Sequence, residues 1–503
     1  MFGILSLARN ILPKATRGME DTLKRRDFSS ALWALDKDAD FEHKGIQGIA
    51  SFNGKELELT IPMGCLLDRT PINEMVACGM DPIEVPVAFG FCQTGERITL
   101  MDLSTLGPSF SVSGIKHEDL RATSALVCGT SFISPNPNIQ SLTLQISGLW
   151  NWVGRYFGEV KHTFKDDKWA ETLGVWRSDI LEPLPLFASD KVSISLQPVM
   201  TQKDDRFPLQ EFSMKSDLHL QIKFIDHALP LDDAMNQWVY PTWRMLTFCM
   251  GFMCSIDEVE IKTEDNQSAL YYLPLIEGEE NPSKAQLNHM PLSYSFISQS
   301  RMNFLESWLH LDGDAKRAAT ILTGVHGSNR IRFLDPMFTT VSGAFEAISR
   351  VGERTQDIAS DRFQRIKARI EQCFEDNTDA QWVLQKVNNI PPASDYASSL
   401  VEKLGAFADY VIPDKSRFLK DLRKNRNAYV HQTSALNKAS TFSNAELYSL
   451  TMAVKVLCYG AVMLQLGMTP EAILNQFKTS HFCQTEIHYA RKMYLPRLED
   501  SAE

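Results

Sequence analysis

The sequence predicts an α+β protein, with a β-rich N-terminal domain (sandwich-like or a curved sheet) followed by an all-α helical bundle. Apolar residues recur mostly with a period of two from about residue 45 to 225, and with a helical period beyond about residue 300. At 503 residues the chain exceeds one ordinary domain. Its composition, 44% hydrophobic and 22% charged, is that of a globular protein with a full core. The acidic, breaker-rich stretch Glu277 to Ser283 marks the domain edge, which gives domains at 1–299 and 300–503.

Taken in order, Glu56-Leu57-Glu58-Leu59-Thr60-Ile61 alternates cleanly after Asn53-Gly54, the turn pair of a two-residue hairpin. A second hairpin runs from Ile83 to Leu103 around Thr94-Gly95. Leu142 to Ile146, Val192 to Leu196 and Leu218 to Ile222 continue the alternation. Asp232 to Phe252 reads as a helix that Pro241, lacking an amide donor, must kink or interrupt. Strands are expected at Glu258 to Ile261 and Leu270 to Leu275. Helical runs come next at Ser300–Leu322, Asp335–Arg350, Asp361–Glu375, Asp379–Asn389 and Tyr396–Tyr410. Further runs cover Asp414–His431, Ala445–Leu466 and Pro470–Phe477. Ser443 with Glu446 makes a capping box, and Thr469-Pro470-Glu471 is a cap with proline at the first helical position.

A formal net charge of -11 and a pI near 5.6 rule out a protein-wide field that attracts nucleic acid, so any such contact must be local. The nine cysteines are scattered, odd in number and contain no CxxC pair, which predicts a reducing, cytoplasmic setting rather than a disulfide scaffold or zinc site. His481, Cys483 and His488 lie close together but fit no zinc pattern. The apolar run from Met1 to Ala8 is too short for a secretory signal, and Arg9 interrupts its continuation. Trp243 to Cys254 is too short to span a membrane. Leu450 to Met468 is long enough but holds Lys455 and Gln465, so a buried bundle helix and no membrane partner are expected. The pairs Asp166-Asp167, Asp204-Asp205 and Asp232-Asp233 read as turns or helix starts, not metal ligands. Glycine-rich phosphate loops, Gly-x-Ser-x-Gly and His-Glu-x-x-His are absent.

The chemistry concentrates in Arg426-Asn427-Ala428-Tyr429-Val430-His431. A fixed cation, an amide and a titratable imidazole are the groups needed to cut RNA without a metal. From Asp414 to Arg426 six cations (Lys415, Arg417, Lys420, Arg423, Lys424, Arg426) face two anions (Asp414, Asp421), a local patch suited to a phosphate backbone. At the helical period Phe418, Leu419, Leu422 and Tyr429 share one apolar stripe, and Arg426 falls within it. Arg423, Asn427 and His431 form a second, polar stripe at i, i+4 and i+8. An arginine on an apolar face requires an anion, a carbonyl cluster or a partner surface.

On a straight helix Arg426 and His431 stand about 140° apart and cannot easily grip one phosphate. They meet if the helix breaks near His431, if the arginine wraps round, or if a second subunit supplies one of them. The polar segment Gln432 to Phe442 favours the break, and a helix C-terminus favours a protonated histidine. The looser spacing also fits Arg155 and His162, set aside as chance because they lie in the β-rich half. The competing reading of the hexapeptide is a helix end whose arginine and histidine are held by carboxylates. Glu346, flanked by apolar neighbours, could pair with Arg426 or orient His431, but a solvated or capping carboxylate is the preferred reading and leaves it outside the site.

Arg426-Asn427-x-x-x-His431 resembles the RNase motif of HEPN domains, helical modules marked by Arg-polar-x-x-x-His. The whole chain resembles the ApeA-like family of abortive-infection proteins, through Gly90-Phe91 to Gly95-Glu96-Arg97-Ile98-Thr99-Leu100, Leu142 to Trp150, and Arg423 to His431. The resemblance implies an antiphage effector and a metal-independent endoribonuclease that needs no cofactor. It also implies a HEPN homodimer that brings two motifs together. Catalysis would fall to Arg426, Asn427 and His431, and binding of flanking phosphates to Lys420, Arg423 and Lys424. The substrate would be tRNA or another cellular RNA. By elimination the β-rich half would sense a phage-encoded trigger. The rival expectations are a helical domain that binds RNA or a partner without cutting it, and a recognition protein whose β-rich half captures a phage protein or glycan.

Overall fold

The computed structural model describes residues 26–28, 30–54, 56–66, 84–106, 117–154, 158–165, 168–176, 182–204, 212–273, 287–299, 303–326, 333–374, 377–431 and 442–495. The N-terminal segment, the acidic stretch 277–283 and the polar segment 432–441 therefore lie outside the described residues, as do Arg155, Asp166 and Asp167.

The N-terminal half is built from β1 (Arg26–Asp27), β2 (Ala31–Ala34), the one-turn helix α1 (Phe41–Lys44), β3 (Ile46–Phe52), β4 (Leu57–Ile61), β5 (Glu84–Cys92), β6 (Arg97–Thr105) and β7 (Glu118–Ala122). Strands pair in the order β6, β5, β2, β3, β4, β7, and β7 returns to β6, so six strands close into an antiparallel barrel. The alternation seen in sequence sets the inside: Leu57, Leu59 and Ile61 of β4 are buried, while Glu58 and Thr60 between them are not. Trp33 fills the lumen with no exposed surface, and β5 carries Gly90 opposite it because a Cβ there would sit 2.6 Å from the indole.

The expected hairpins form, the second around the pair that announced it and the first one place further along. The Asn53 amide donates to Glu56 and the Asn53 side chain accepts from the Glu56 amide, closing the turn around Gly54 at φ 92°. Cys92 and Glu96 close the second around Gly95, also left-handed.

The sheet then leaves the barrel. The strands are β8 (Ser124–Cys128), β9 (Asn138–Ile146), β10 (Gly158–Lys165), β11 (Lys168–Trp176), β12 (Leu184–Ala188), β13 (Val192–Asp204), β14 (Phe212–Phe224), β15 (Leu229–Pro230), β16 (Ile256–Thr263) and β17 (Ser268–Tyr272), with α2 (Leu149–Val153) after β9. Pairing continues from β6 through β8, β17, β16, β9, β14 and β13 to β12, and every pairing among the described residues is antiparallel. The hairpin β10–β11 stands apart and was not foreseen in the sequence. The curved-sheet form of the expectation holds, with closure added.

Between β15 and β16 the predicted helix appears in three pieces: α3 (Leu231–Ala234), a π-helical turn over Met235–Val239, and α4 (Tyr240–Met250). Pro241 sits in the first turn of α4, where its missing amide costs nothing, and the π turn absorbs the break. Asp232 and Asp233 occupy the first turn of α3, as expected of a helix start.

The C-terminal half is helical: α5 (Tyr294–Gln299), α6 (Phe304–Leu309), α7 (Gly313–His326), α8 (Leu334–Ser349), α9 (Ser360–Cys373), α10 (Asn377–Lys386), α11 (Ala393–Lys403), α12 (Gly405–Val411), α13 (Lys415–His431), α14 (Asn444–Gln465), α15 (Pro470–Thr479) and α16 (Gln484–Tyr494). The run expected at 300–322 is two helices, separated at 310–312 before Gly313 at φ 45°. The run at 396–410 likewise divides at Leu404, before Gly405 at φ 48°. The capping box of Ser443 and Glu446 and the Thr469 cap both form. Helix α14 is apolar on every side because it is the bundle axis: 83% of its most apolar window is buried inside the protein.

One hydrophobic core runs through both halves. Phe248 of α4 stacks on Tyr459 of α14 at 4.9 Å and meets Trp308 of α6 at 5.3 Å. The Trp152 indole donates to the Leu292 carbonyl at 2.7 Å, and the Gln476 amide to the Pro291 carbonyl at 2.8 Å. A separate, smaller core fills the barrel.

Candidate active site

Helix α13 is positioned by what its buried face touches. Phe418 is fully buried and packs edge-on against Phe345 of α8 and Tyr494 of α16. Leu422 and Ala428 are buried, and Tyr429 meets Phe338 of α8 at 5.6 Å. Asn425 is also fully buried: its amide nitrogen donates to the Asp421 carbonyl at 2.9 Å, while its Oδ1 finds no partner. The sequence reading missed Asn425, although its i+3 spacing from Leu422 placed it on the apolar stripe.

The patch divides into structural and free cations. Lys415 pairs with Asp409 at 2.7 Å. Arg417 donates to the Met493 carbonyl at 2.9 Å and lies 3.8 Å from Asp421, tying α13 to the end of α16. Burial pushes the Asp421 carboxyl up from its ordinary range, against the pull of Arg417, Lys424 and Lys420. Lys420, Arg423 and Lys424 are exposed and make no ion pair or hydrogen bond with any described residue. Asn427 is exposed beside them. At the helical period all four fall within an arc of about 100°, which is the face that α13 leaves to solvent.

Arg426 lies at the edge of that face, with 29% of its side chain exposed, and forms an ion pair with Glu346 of α8. Of the two readings of Glu346, the structure shows the pairing with Arg426 rather than the preferred solvated or capping carboxylate. The anion that an arginine on the apolar stripe requires is this one. Glu346 also binds Arg350 one turn along α8, so one carboxylate lies between two guanidiniums and the group keeps a net positive charge. Beside it opens a small cleft of about 60 Å³, lined among others by Ser342, Glu346, Ser394, Leu422, Arg423 and Arg426.

The backbone of α13 stays helical through His431. The expected break does not fall between Arg426 and His431, so their offset of about 140° stands. With Arg426 directed to Glu346, neither of the two routes within one chain is taken among the described residues. Of the second Arg–His spacing, His162 lies on the isolated hairpin strand β10, and Arg155 lies outside the described residues. Of the cysteine and histidine group near the C-terminus, Cys483 is buried and its thiol is pushed up by burial, and His481 faces His289 across 5.4 Å.

Two family models match the chain. The ApeA N-terminal domain 1 model covers residues 30–308, taking in the barrel, the extended sheet and α3 to α6. The Apea-like HEPN model covers residues 340–472, taking in Glu346 and all of α13. No curated protein and no solved structure matches the chain. Barrel, extended sheet and helical bundle, with the Arg-Asn-x-x-x-His hexapeptide inside the second matched segment, make this chain a member of the ApeA-like family, with a C-terminal HEPN domain.

Proposed function

We propose that the protein is an antiphage effector whose HEPN domain cuts RNA without a metal ion, by attack of a ribose 2′-OH on the adjacent phosphate. The observation that carries this reading is Arg426: a guanidinium on an apolar stripe, oriented by Glu346, still partly exposed, and bordered by the unpaired cations Arg423, Lys420 and Lys424.

His431 takes the proton from the 2′-OH or delivers one to the leaving 5′-oxygen. Arg426 stabilises charge developing on the pentacoordinate phosphorus, for which its planar fork is suited. Glu346 occupies one end of that fork and keeps Arg350 when a phosphate competes for Arg426, so the exchange leaves no carboxylate stranded. Asn427 orients the phosphate or the imidazole. Lys420, Arg423 and Lys424 hold flanking phosphates. Because Arg426 and His431 diverge on a continuous helix, the reacting pair is drawn from two chains of a homodimer. The β-rich half is the sensor of a phage-encoded trigger, domain limits fall near residue 300, and the protein acts in the cytoplasm.

The test is incubation of purified protein with bulk tRNA in EDTA, followed by end-group analysis. Wild type should give 2′,3′-cyclic phosphate and 5′-hydroxyl ends, and Arg426→Ala and His431→Ala should give none. Cleavage that needs added magnesium, or that survives both substitutions, ends the proposal. RNA binding that is retained by wild type with no cleavage at all favours the non-catalytic HEPN reading.

A further inference from the structure

A second cleft lies away from Arg426, where the β-rich half meets the first long helices of the bundle. It measures about 410 Å³ and opens to solvent, within the range of small-molecule sites. One wall is the π-helical turn, which presents Asn236, Gln237 and Trp238 in succession, and π turns inside α-helices recur at functional sites. Phe187 of β12 faces Trp238 at 6.2 Å with the ring planes 33° apart, so two partly exposed aromatic faces border the opening.

The charge of this cleft is opposite to that of the chain. It holds Arg244 of α4 and Lys316 of α7 and no acidic lining residue, in a protein of net charge -11. Arg244 is half-buried and makes no ion pair or hydrogen bond with any described residue. Lys316 is exposed and likewise free. A half-buried guanidinium with no anionic partner among the described residues is costly, and an anion relieves that cost. Aromatic faces suit a planar ring, neighbouring side-chain amides suit its donor and acceptor edge, and cations suit phosphate.

We propose that this junction cleft binds a mononucleotide. The base stacks at Trp238 and Phe187, Asn236 and Gln237 read its edge, and Arg244 and Lys316 take the phosphates. The site is independent of the ribonuclease reading and shares no residue with the cleft at Arg426. One wall of it is α7, which packs directly on α8, the helix that carries Glu346.

The test is calorimetric titration of the full-length protein with AMP, ATP, GMP, GTP, CMP, CTP, UMP and UTP. Adenosine, inorganic phosphate and a short oligoribonucleotide serve as controls. At least one nucleotide should bind saturably, at one per chain and more than tenfold tighter than adenosine or phosphate alone. Arg244→Gln should weaken it at least tenfold and Lys316→Gln severalfold, both at unchanged melting temperature, while Arg426→Ala should leave it intact. Three results would overturn the proposal: no nucleotide binding at millimolar concentration, binding of the oligoribonucleotide only, or affinities that Arg244→Gln and Lys316→Gln leave unchanged.

Discussion

At the scale of single residues, Glu346 and Arg426 lie eighty positions apart in sequence and form one ion pair. Glu346→Gln removes the charge that holds Arg426 on a half-covered face, and should cost about 1 kcal/mol of stability, read in a denaturant melt. Arg426→Ala should cost less, because Glu346 keeps Arg350. If Glu346→Gln costs nothing, the pair does not orient the guanidinium. The three free cations predict a graded effect on RNA affinity. Each of Lys420→Gln, Arg423→Gln and Lys424→Gln should lower the slope of log affinity against log salt by about 0.7, at unchanged fold. A slope that none of them changes would remove this face from the RNA path.

Helix periodicity made the polar stripe of Arg423, Asn427 and His431 legible in sequence, and also the need of Arg426 for an anion. The sequence offered Glu346 as one candidate anion but could not select it, because which carboxylate stands opposite depends on how α8 crosses α13. Asn425 was missed for another reason: an asparagine in a run of cations reads as surface, although its spacing from Leu422 places it on the buried side of α13.

At the scale of elements, turn chemistry carried far. Asn53-Gly54, Thr94-Gly95, the Ser443 capping box and Thr469-Pro470 each mark an element boundary that forms. Barrel closure was not visible, since alternation along β6 and β7 says which face is buried and nothing about which strands pair twice. The two divided helices were missed because Gly313 and Gly405 interrupt apolar periodicity by only one residue each. Gly460 in the middle of α14 tests the packing of that axis. A Cβ there would enter the ring of Phe407. Gly460→Ala should therefore destabilise by about 1–3 kcal/mol, although alanine gains up to about 1 kcal/mol in helix propensity. A variant more stable than wild type would show that α12 yields freely around α14.

At the scale of the whole molecule, composition predicted two domains, and the described residues do form a strand-rich half and a helical half. Their core is continuous, with Phe248 in contact with both Trp308 and Tyr459 across the boundary. A fragment of residues 1–299 leaves α4 without its covering helices. It should bind a hydrophobic dye and aggregate, while the full chain should not. A monomeric, dye-silent fragment with a cooperative melt would show that the halves fold independently. At the junction α4 packs against the π turn, α6 and α7.

Arg426 and His431 acting on one phosphate is the claim on which the functional reading rests, and the unbroken course of α13 makes it a claim about two chains. Co-expressing Arg426→Ala chains with His431→Ala chains and assaying tRNA cleavage in EDTA measures it directly. Each variant alone should be inactive, and the mixture should recover about a quarter of wild-type activity, because half the dimers are mixed and each mixed dimer holds one intact pair. An inactive mixture of demonstrated heterodimers would contradict a site shared between chains, and wild-type cleavage by either variant alone would contradict the catalytic pair itself.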